Sequence, residues 1–320
     1  MYKLIRIFNQ NRKKILLIVL IIVLIVILIQ LLNFITKNSN KKDNINIVSN
    51  NVSKLDDKKE IASDKSLISG DKVSESKLSD DADIINNFFG FCKNGNIEEA
   101  YELISQDCKD VMFQTIDEFN KIYYDTLFND KNKIYTIQNW INDTYKINFN
   151  ENYISTGNKS SEGSQVDYVT IVKDTYGTKK LNINNFIGKE KLDKDTDYKN
   201  ILVKAQYLYK FVDYCEISFD ITNNTYRTIL MDDLSNPYTI YIEDNNGMKY
   251  SAYTNELVSE RLKLGINQST QVNIRFYSKY SSSKKIKKVV FSKVINNFET
   301  YEAVKEKNQY NQYYAIEVKI

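Results

Sequence analysis

Ile217-Ser218-Phe219-Asp220-Ile221-Thr222 places an apolar residue at every second position, and Asn223-Asn224 follows with turn chemistry. Successive side chains of a strand point to opposite faces, so strict alternation marks a strand with one face in a core and the other toward water. The same period recurs at Ile240 and Ile242, at Val272, Ile274 and Phe276, at Val290 and Ser292, and at Tyr314, Ile316 and Val318. Ser235-Asn236-Pro237 and Asp244-Asn245-Asn246-Gly247 lie between these runs as turns. About seven short strands over residues 200–320 predict an all-β, two-sheet sandwich that buries alternate residues.

Toward the amino terminus the pattern changes. Beyond Trp140, Tyr145, Ile147 and Phe149 alternate with polar residues, then Val166 to Val172, then Leu181 and Ile183, with turns at Gly157 to Gly163 and Tyr176-Gly177. Upstream of these strands the period is helical. Ser79 or Asp80 is the expected cap of a helix carrying Ile84, Ile85, Phe88, Phe89 and Cys92, and Gly95-Asn96 ends it. Ile97, Ala100, Tyr101 and Ile104 predict a second short helix, and Thr115 with Glu118 stands at capping-box spacing before Phe119, Ile122, Tyr123 and Phe128. Helices followed by antiparallel strands over residues 79–191 predict an α+β domain whose sheet wraps the helices. The aromatic stripe reads as core rather than as a cofactor box.

The far amino terminus carries a different signal. Ile15 to Ile35 is interrupted only by Gln30 and Asn33, and residues 1–14 carry Lys3, Arg6, Arg12, Lys13 and Lys14 as their only charges. At about 1.5 Å per residue such a stretch is long enough for a helix to cross a hydrocarbon core of roughly 30 Å. The expectation is an uncleaved signal anchor, a single transmembrane helix with its basic amino terminus in the cytoplasm and the rest extracytoplasmic. A cleaved secretory signal is the competing reading, but Gln30-Leu31-Leu32-Asn33-Phe34-Ile35-Thr36 offers no small-x-small site. Residues 36–78 are rich in Asn, Lys, Ser and Asp without lasting period, which predicts a flexible linker.

The chain of 320 residues has 44 basic and 41 acidic side chains and no histidine. A net charge of +3 carries no whole-chain signature for nucleic acid, and the absence of histidine excludes His-dependent triads and zinc-peptidase helices. Cys92, Cys108 and Cys215 lack redox or zinc spacing; they read as small buried hydrophobes, with Cys92 and Cys108 as the candidate disulfide. Asp244 to Gly247 lacks the distal acidic ligand of a calcium loop and reads as a hairpin turn, so no metal, cofactor or catalytic residue is assigned. Lys279, Lys284, Lys285, Lys287, Lys288 and Lys293 form a basic cluster around Ser281 to Ser283. It is the candidate contact for anionic head groups or wall polymers, against the plainer reading of a solvated loop and a lysine-protected edge strand.

Ile84-Ile85-Asn86-Asn87-Phe88-Phe89, with Lys93-Asn94-Gly95-Asn96-Ile97-Glu98-Glu99-Ala100-Tyr101 and Leu103-Ile104-Ser105, resembles the opening of NTF2-like domains. That resemblance implies a cone enclosed by helices and sheet, with Tyr123, Tyr124, Trp140 and Asp143 as candidate pocket lining. The layout of a membrane-held NTF2-like domain is similar to VirB8/TcpC-like components of conjugation machines, where the domain is a scaffold. Ile217 to Asn223, with Ile240 to Asp244 leading to Gly247 and Tyr250, resembles the Ig-like modules of Gram-positive surface proteins, which bind or space. The expected function is that of a non-enzymatic binding or scaffold component of the cell envelope, partnered by a protein or cell-wall polymer and not by nucleic acid. Two alternatives stay open: a conjugation-apparatus assembly component, and a small-ligand or enzymatic pocket in the cone.

Overall fold

A computed structural model of the chain describes residues 66–68, 74–128, 134–150, 165–232, 238–305 and 310–320. The first helix, α1 (Glu75–Asn94), begins earlier than Ser79 or Asp80, because Ser74 is the cap and its hydroxyl accepts from the Lys77 N–H. Leu78, Ala82, Ile85, Phe88, Phe89 and Cys92 then form its buried stripe. Gly95 ends it in the left-handed region at φ 78°, with its N–H on the Cys92 carbonyl and the Asn96 N–H on that of Phe91, a closure that favours a residue without Cβ.

Three short helices follow: α2 (Ile97–Glu102), α3 (Gln106–Met112) and α4 (Ile116–Phe119). Thr115 and Glu118 form the expected capping box in both directions, each hydrogen bond 3.2 Å long. The chain continues through a π-helical stretch, Asn120–Tyr124, into α5 (Asp125–Phe128). These helices cover an antiparallel meander of β1 (Ile134–Ile141), β2 (Thr144–Asn150), β3 (Gln165–Lys173) and β4 (Lys179–Asn182). Tyr145, Ile147 and Phe149 point into the core as their spacing predicts.

The second sheet has ten strands. Its long opening hairpin is β5 (Phe186–Tyr198) and β6 (Ile201–Phe211), followed by β7 (Cys215–Asn223) and β8 (Ile229–Leu230). Then come β9 (Ile240–Asp244), β10 (Lys249–Tyr253), α6 (Glu256–Arg261) and β11 (Lys263–Leu264). The chain closes with β12 (Ser269–Phe276), β13 (Ile286–Ile295), α7 (Phe298–Val304) and β14 (Tyr313–Lys319). The hydrogen-bonded order is β11-β8-β13-β9-β10-β12-β7-β6-β5, with β14 on β13. Ile217, Phe219 and Ile221 of β7 are fully buried, and Phe219 meets Phe291 of β13 edge-on at 5.6 Å.

This architecture corrects the expected fold class. The described residues are mostly strand, 45% against 27% helix, in two antiparallel sheets, and no NTF2-like α+β cone is present among them. Phe88, Phe89, Phe119, Tyr123, Phe128 and Phe149 are stacked or tilted against one another between helices and sheet, so the space a cone would enclose is filled. Nor is there a free-standing Ig-like pair of sheets: one hydrogen-bonded path joins all the strands after β4. Its hairpin serves both cores, since Phe186 and Phe211 pack with the helices while Ile201, Val203 and Ala205 pack in the second core. The boundary expected between residues 191 and 200 falls within that hairpin. The expectation of a membrane-spanning helix is not met among the described residues, where no helix is long and apolar enough to cross a membrane. Ile15 to Ile35, on which the anchor was expected, and most of the 36–78 linker lie outside the described residues.

Candidate anion-binding site

The end of β6 carries Leu208, Lys210 and Phe211 and the start of β7 carries Cys215, joined by a tight connection in which Tyr214 stacks on Phe211 at 4.4 Å. Arg275 of β12 lies 4.0 Å from the Tyr214 ring centre and is held there by Glu216 at 2.8 Å, so the ring is clamped on both faces. Over this floor runs the connection from β12 to β13. It is pinned by the Tyr277 N–H on the Ser251 carbonyl, the Tyr280 N–H on that of Val212, and the Lys285 carbonyl accepting from the Asn245 N–H.

Floor and loop enclose a cavity of about 420 Å³, lined by Lys210, Lys279, Lys284 and Lys285, with Ser278, Tyr280, Ser281 and Ser282 supplying hydroxyls and Glu190 as the acidic side chain. Lys210 is paired with Glu190 at 2.5 Å. Lys279 lies 3.9 Å from Asp213 with both side chains largely in water, a contact worth little. Lys284 is different: its ammonium donates to the Lys279 carbonyl at 2.7 Å and to the Ser278 hydroxyl at 3.1 Å, and sits 4.3 Å from the Tyr250 ring centre. Partial burial holds its pKa below the usual lysine value, with Asp244 opposing that shift. No carboxylate lies within ion-pair distance of Lys284 or Lys285 among the described residues. With Lys210 engaged by Glu190, the lining keeps Lys279, Lys284 and Lys285 without a second acidic side chain, which leaves it electropositive, and lysine is a compact point charge suited to oxyanions.

The expected basic cluster is therefore divided. Lys279, Lys284 and Lys285 line the cavity, whereas Lys287, Lys288 and Lys293 lie along β13. Lys288 contacts Glu317 at 3.0 Å and Glu243 at 3.6 Å, and Lys293 lies 5.4 Å from the Tyr313 ring centre. Lys210, Glu190 and Tyr214 were not legible as site residues. They lie far before the loop in the chain, and the β5–β6, β6–β7 and β7–β12 pairings with the Tyr280–Val212 hydrogen bond bring them to it.

The other candidate lining does not converge. Tyr123 is buried and donates its hydroxyl to Asp167 at 2.6 Å; Tyr124 stacks on Phe128. Asp143 is exposed at the β1–β2 turn and pairs with Lys77 at 2.5 Å. Trp140 packs edge-on to Tyr168 at 4.8 Å and lies 6.0 Å from Tyr280, so it borders the basic loop rather than an interior pocket. Cys92, Cys108 and Cys215 are free and buried, without the candidate Cys92–Cys108 bridge, and burial pushes each thiol up to about 12. The Asp244 carboxylate accepts from the Asn246 and Met248 N–H groups and the Tyr250 hydroxyl, which closes the turn with Gly247 at φ 78°.

No protein-family model, curated protein or solved structure matches the chain. The resemblances drawn from its residues gain no support from these comparisons.

Proposed function

We propose that this chain is a non-enzymatic binding or scaffold component of the cell envelope that holds an anionic partner, protein or polymer, at the lysine-lined cavity. The observation that carries this reading is the convergence on one cavity of four lysines from β6 and the β12–β13 loop, with hydroxyl groups between them and one glutamate opposing them. A concavity of this size with a few convergent polar groups is the usual form of a binding site. Its thiol, that of Cys215, is held protonated by burial and supplies no nucleophile. The place of action proposed with it is the extracytoplasmic face of a cell membrane, with the basic amino terminus in the cytoplasm; that part rests on the sequence of residues 1–35 alone.

The test is photocrosslinking in intact cells from position 282, an exposed serine at the cavity mouth, followed by capture of the full chain. Recovery of a covalently attached partner or wall polymer, reduced when Lys284 and Lys285 are both replaced by Gln, is the expected result. A chain recovered without any attached material, or attached material insensitive to the lysines, overturns the reading. Protease added to whole protoplasts checks the compartment: loss of the folded portion is expected, and full protection removes the extracytoplasmic assignment.

A further inference from the structure

Resting on that binding role, we propose that the cavity takes a phosphodiester-linked polyol, one segment of an anionic surface polymer, with Lys284 and Lys285 on the phosphate oxygens and Ser278, Ser281 and Tyr280 on the polyol hydroxyls. Three features select this chemistry. The first is charge: with Lys210 taken by Glu190, the ammonium groups of Lys279, Lys284 and Lys285 remain, so a single carboxylate side chain of a protein partner would leave most of that positive charge uncompensated, whereas a polymer bearing a phosphate on every unit brings more than one anion to the same lining. The second is the hydroxyl content. Ser278, Tyr280, Ser281 and Ser282 stand between the lysines, and hydroxyls both donate and accept, so a polyol uses both capacities where an acceptor-only carboxylate uses the donors alone. The third is preorganisation. Lys284 already uses two of its three N–H donors on Ser278 and the Lys279 carbonyl, so its ammonium is fixed with a donor to spare, and the loop that carries it is hydrogen-bonded to β7 and β9 flanks at Val212 and Asn245.

A flat membrane surface fits less well. The lysines that line the cavity are divided from Lys287, Lys288 and Lys293, and Lys288 is engaged by two glutamates, so the cluster does not form one open basic face.

The test uses the full chain in an uncharged detergent and a synthetic six-unit glycerol phosphate oligomer as probe, with inorganic phosphate, a hexaglutamate peptide and vesicles of phosphatidylglycerol in phosphatidylcholine as parallel arms. The oligomer is expected to bind more tightly than inorganic phosphate or hexaglutamate, and to weaken as salt is raised. Lys284→Gln is expected to weaken it by about tenfold, and Lys285→Gln by several-fold, as losses of partly buried and exposed charge contacts respectively. Lys287→Gln removes the same charge outside the cavity and is expected to leave affinity unchanged. Should Lys284→Gln fail to fold, as circular dichroism would show, the exposed Lys285 variant decides. Equal or tighter binding of hexaglutamate, binding confined to vesicles, or equal losses from Lys285→Gln and Lys287→Gln would overturn the proposal. If the oligomer fails here while crosslinking from position 282 captures a lysine-dependent protein, the binding role stands and this ligand falls; if both fail, the role itself falls.

Discussion

Asp167 occupies a place where a carboxylate needs full compensation: it is 3% exposed, and it accepts from the Tyr123 hydroxyl at 2.6 Å and from the N–H groups of Tyr168, Asn185 and Asn184 at 2.7, 3.0 and 3.3 Å. Burial raises its pKa above the ordinary carboxylate value, and those four donors pull the other way. Because the folded pKa is raised, the stability this group contributes is complete below the unfolded pKa and is lost as pH rises through the folded one. Tyr123→Phe removes a donor that favours the charged form, so it is expected to cost about 2 kcal/mol at neutral pH and less in acid, where the carboxyl is protonated. Urea unfolding at several pH values checks this; a cost that is independent of pH would show that the hydrogen bond does not act through the carboxylate. The thiols give a second prediction at this scale. With pKa values pushed to about 12, Cys92, Cys108 and Cys215 are expected to resist alkylation in the native chain at pH 8 and all to react after denaturation without reductant. Reaction of Cys215 alone after denaturation would reveal a bridge between the other two. Tyr123 was legible as a core aromatic, but its partner was not. In β3 the set Val166, Tyr168, Thr170 and Val172 alternates with Asp167, Val169 and Ile171, and either face reads as apolar enough to turn inward. Only the helices packed on one face select the one with the aspartate.

Among the elements, the helix ends were the most legible where their signals are local. Gly95 was marked by its position after the apolar stripe of α1, and the structure gives it φ 78°. A Cβ built there would meet only the Tyr124 hydroxyl at 3.9 Å, an ordinary contact, so the cost of a side chain is conformational. Gly95→Ala is expected to destabilise by about 1 kcal/mol, measured by thermal or urea unfolding. No loss would mean that the left-handed C-cap is not maintained. The start of the same helix is less legible, because Ser74 lies among Ser, Glu and Lys residues, where Leu78 and Ala82 alone are the apolar members of the buried stripe, and hydroxyl caps look alike until one accepts from the N–H three residues on. In β7 the alternation was complete and the structure reproduces it residue by residue. Phe219→Ala is expected to cost about 3–5 kcal/mol, because the ring is fully buried against Phe291 and its removal leaves a cavity. A cost below about 1 kcal/mol would indicate that the second core collapses around the site.

For the whole described fold, the decisive elements are β5 and β6. Phe186 and Phe211 belong to the core beneath the helices while Leu192, Ile201, Val203, Ala205 and Leu208 belong to the second core, so neither can be lost without disturbing the other. A single cooperative transition is expected, with the fluorescence of Trp140, the chain's one tryptophan, coinciding with far-ultraviolet circular dichroism. Two separated transitions would show that the cores are independent. By itself the sequence determined the positions of most strands, the helix ends with strong local caps, the lack of histidine chemistry and the existence of a basic loop, because each of these is encoded within a few residues by period, cap or composition. Only the tertiary structure decided that the later strands form one continuous sheet, that the β5–β6 hairpin serves two cores, and that three of six clustered lysines meet Lys210 across a cavity. The physical reason is the same in each case: pairing register and side-chain packing join residues tens of positions apart, and no local pattern specifies which distant partner will fill a space or oppose a charge.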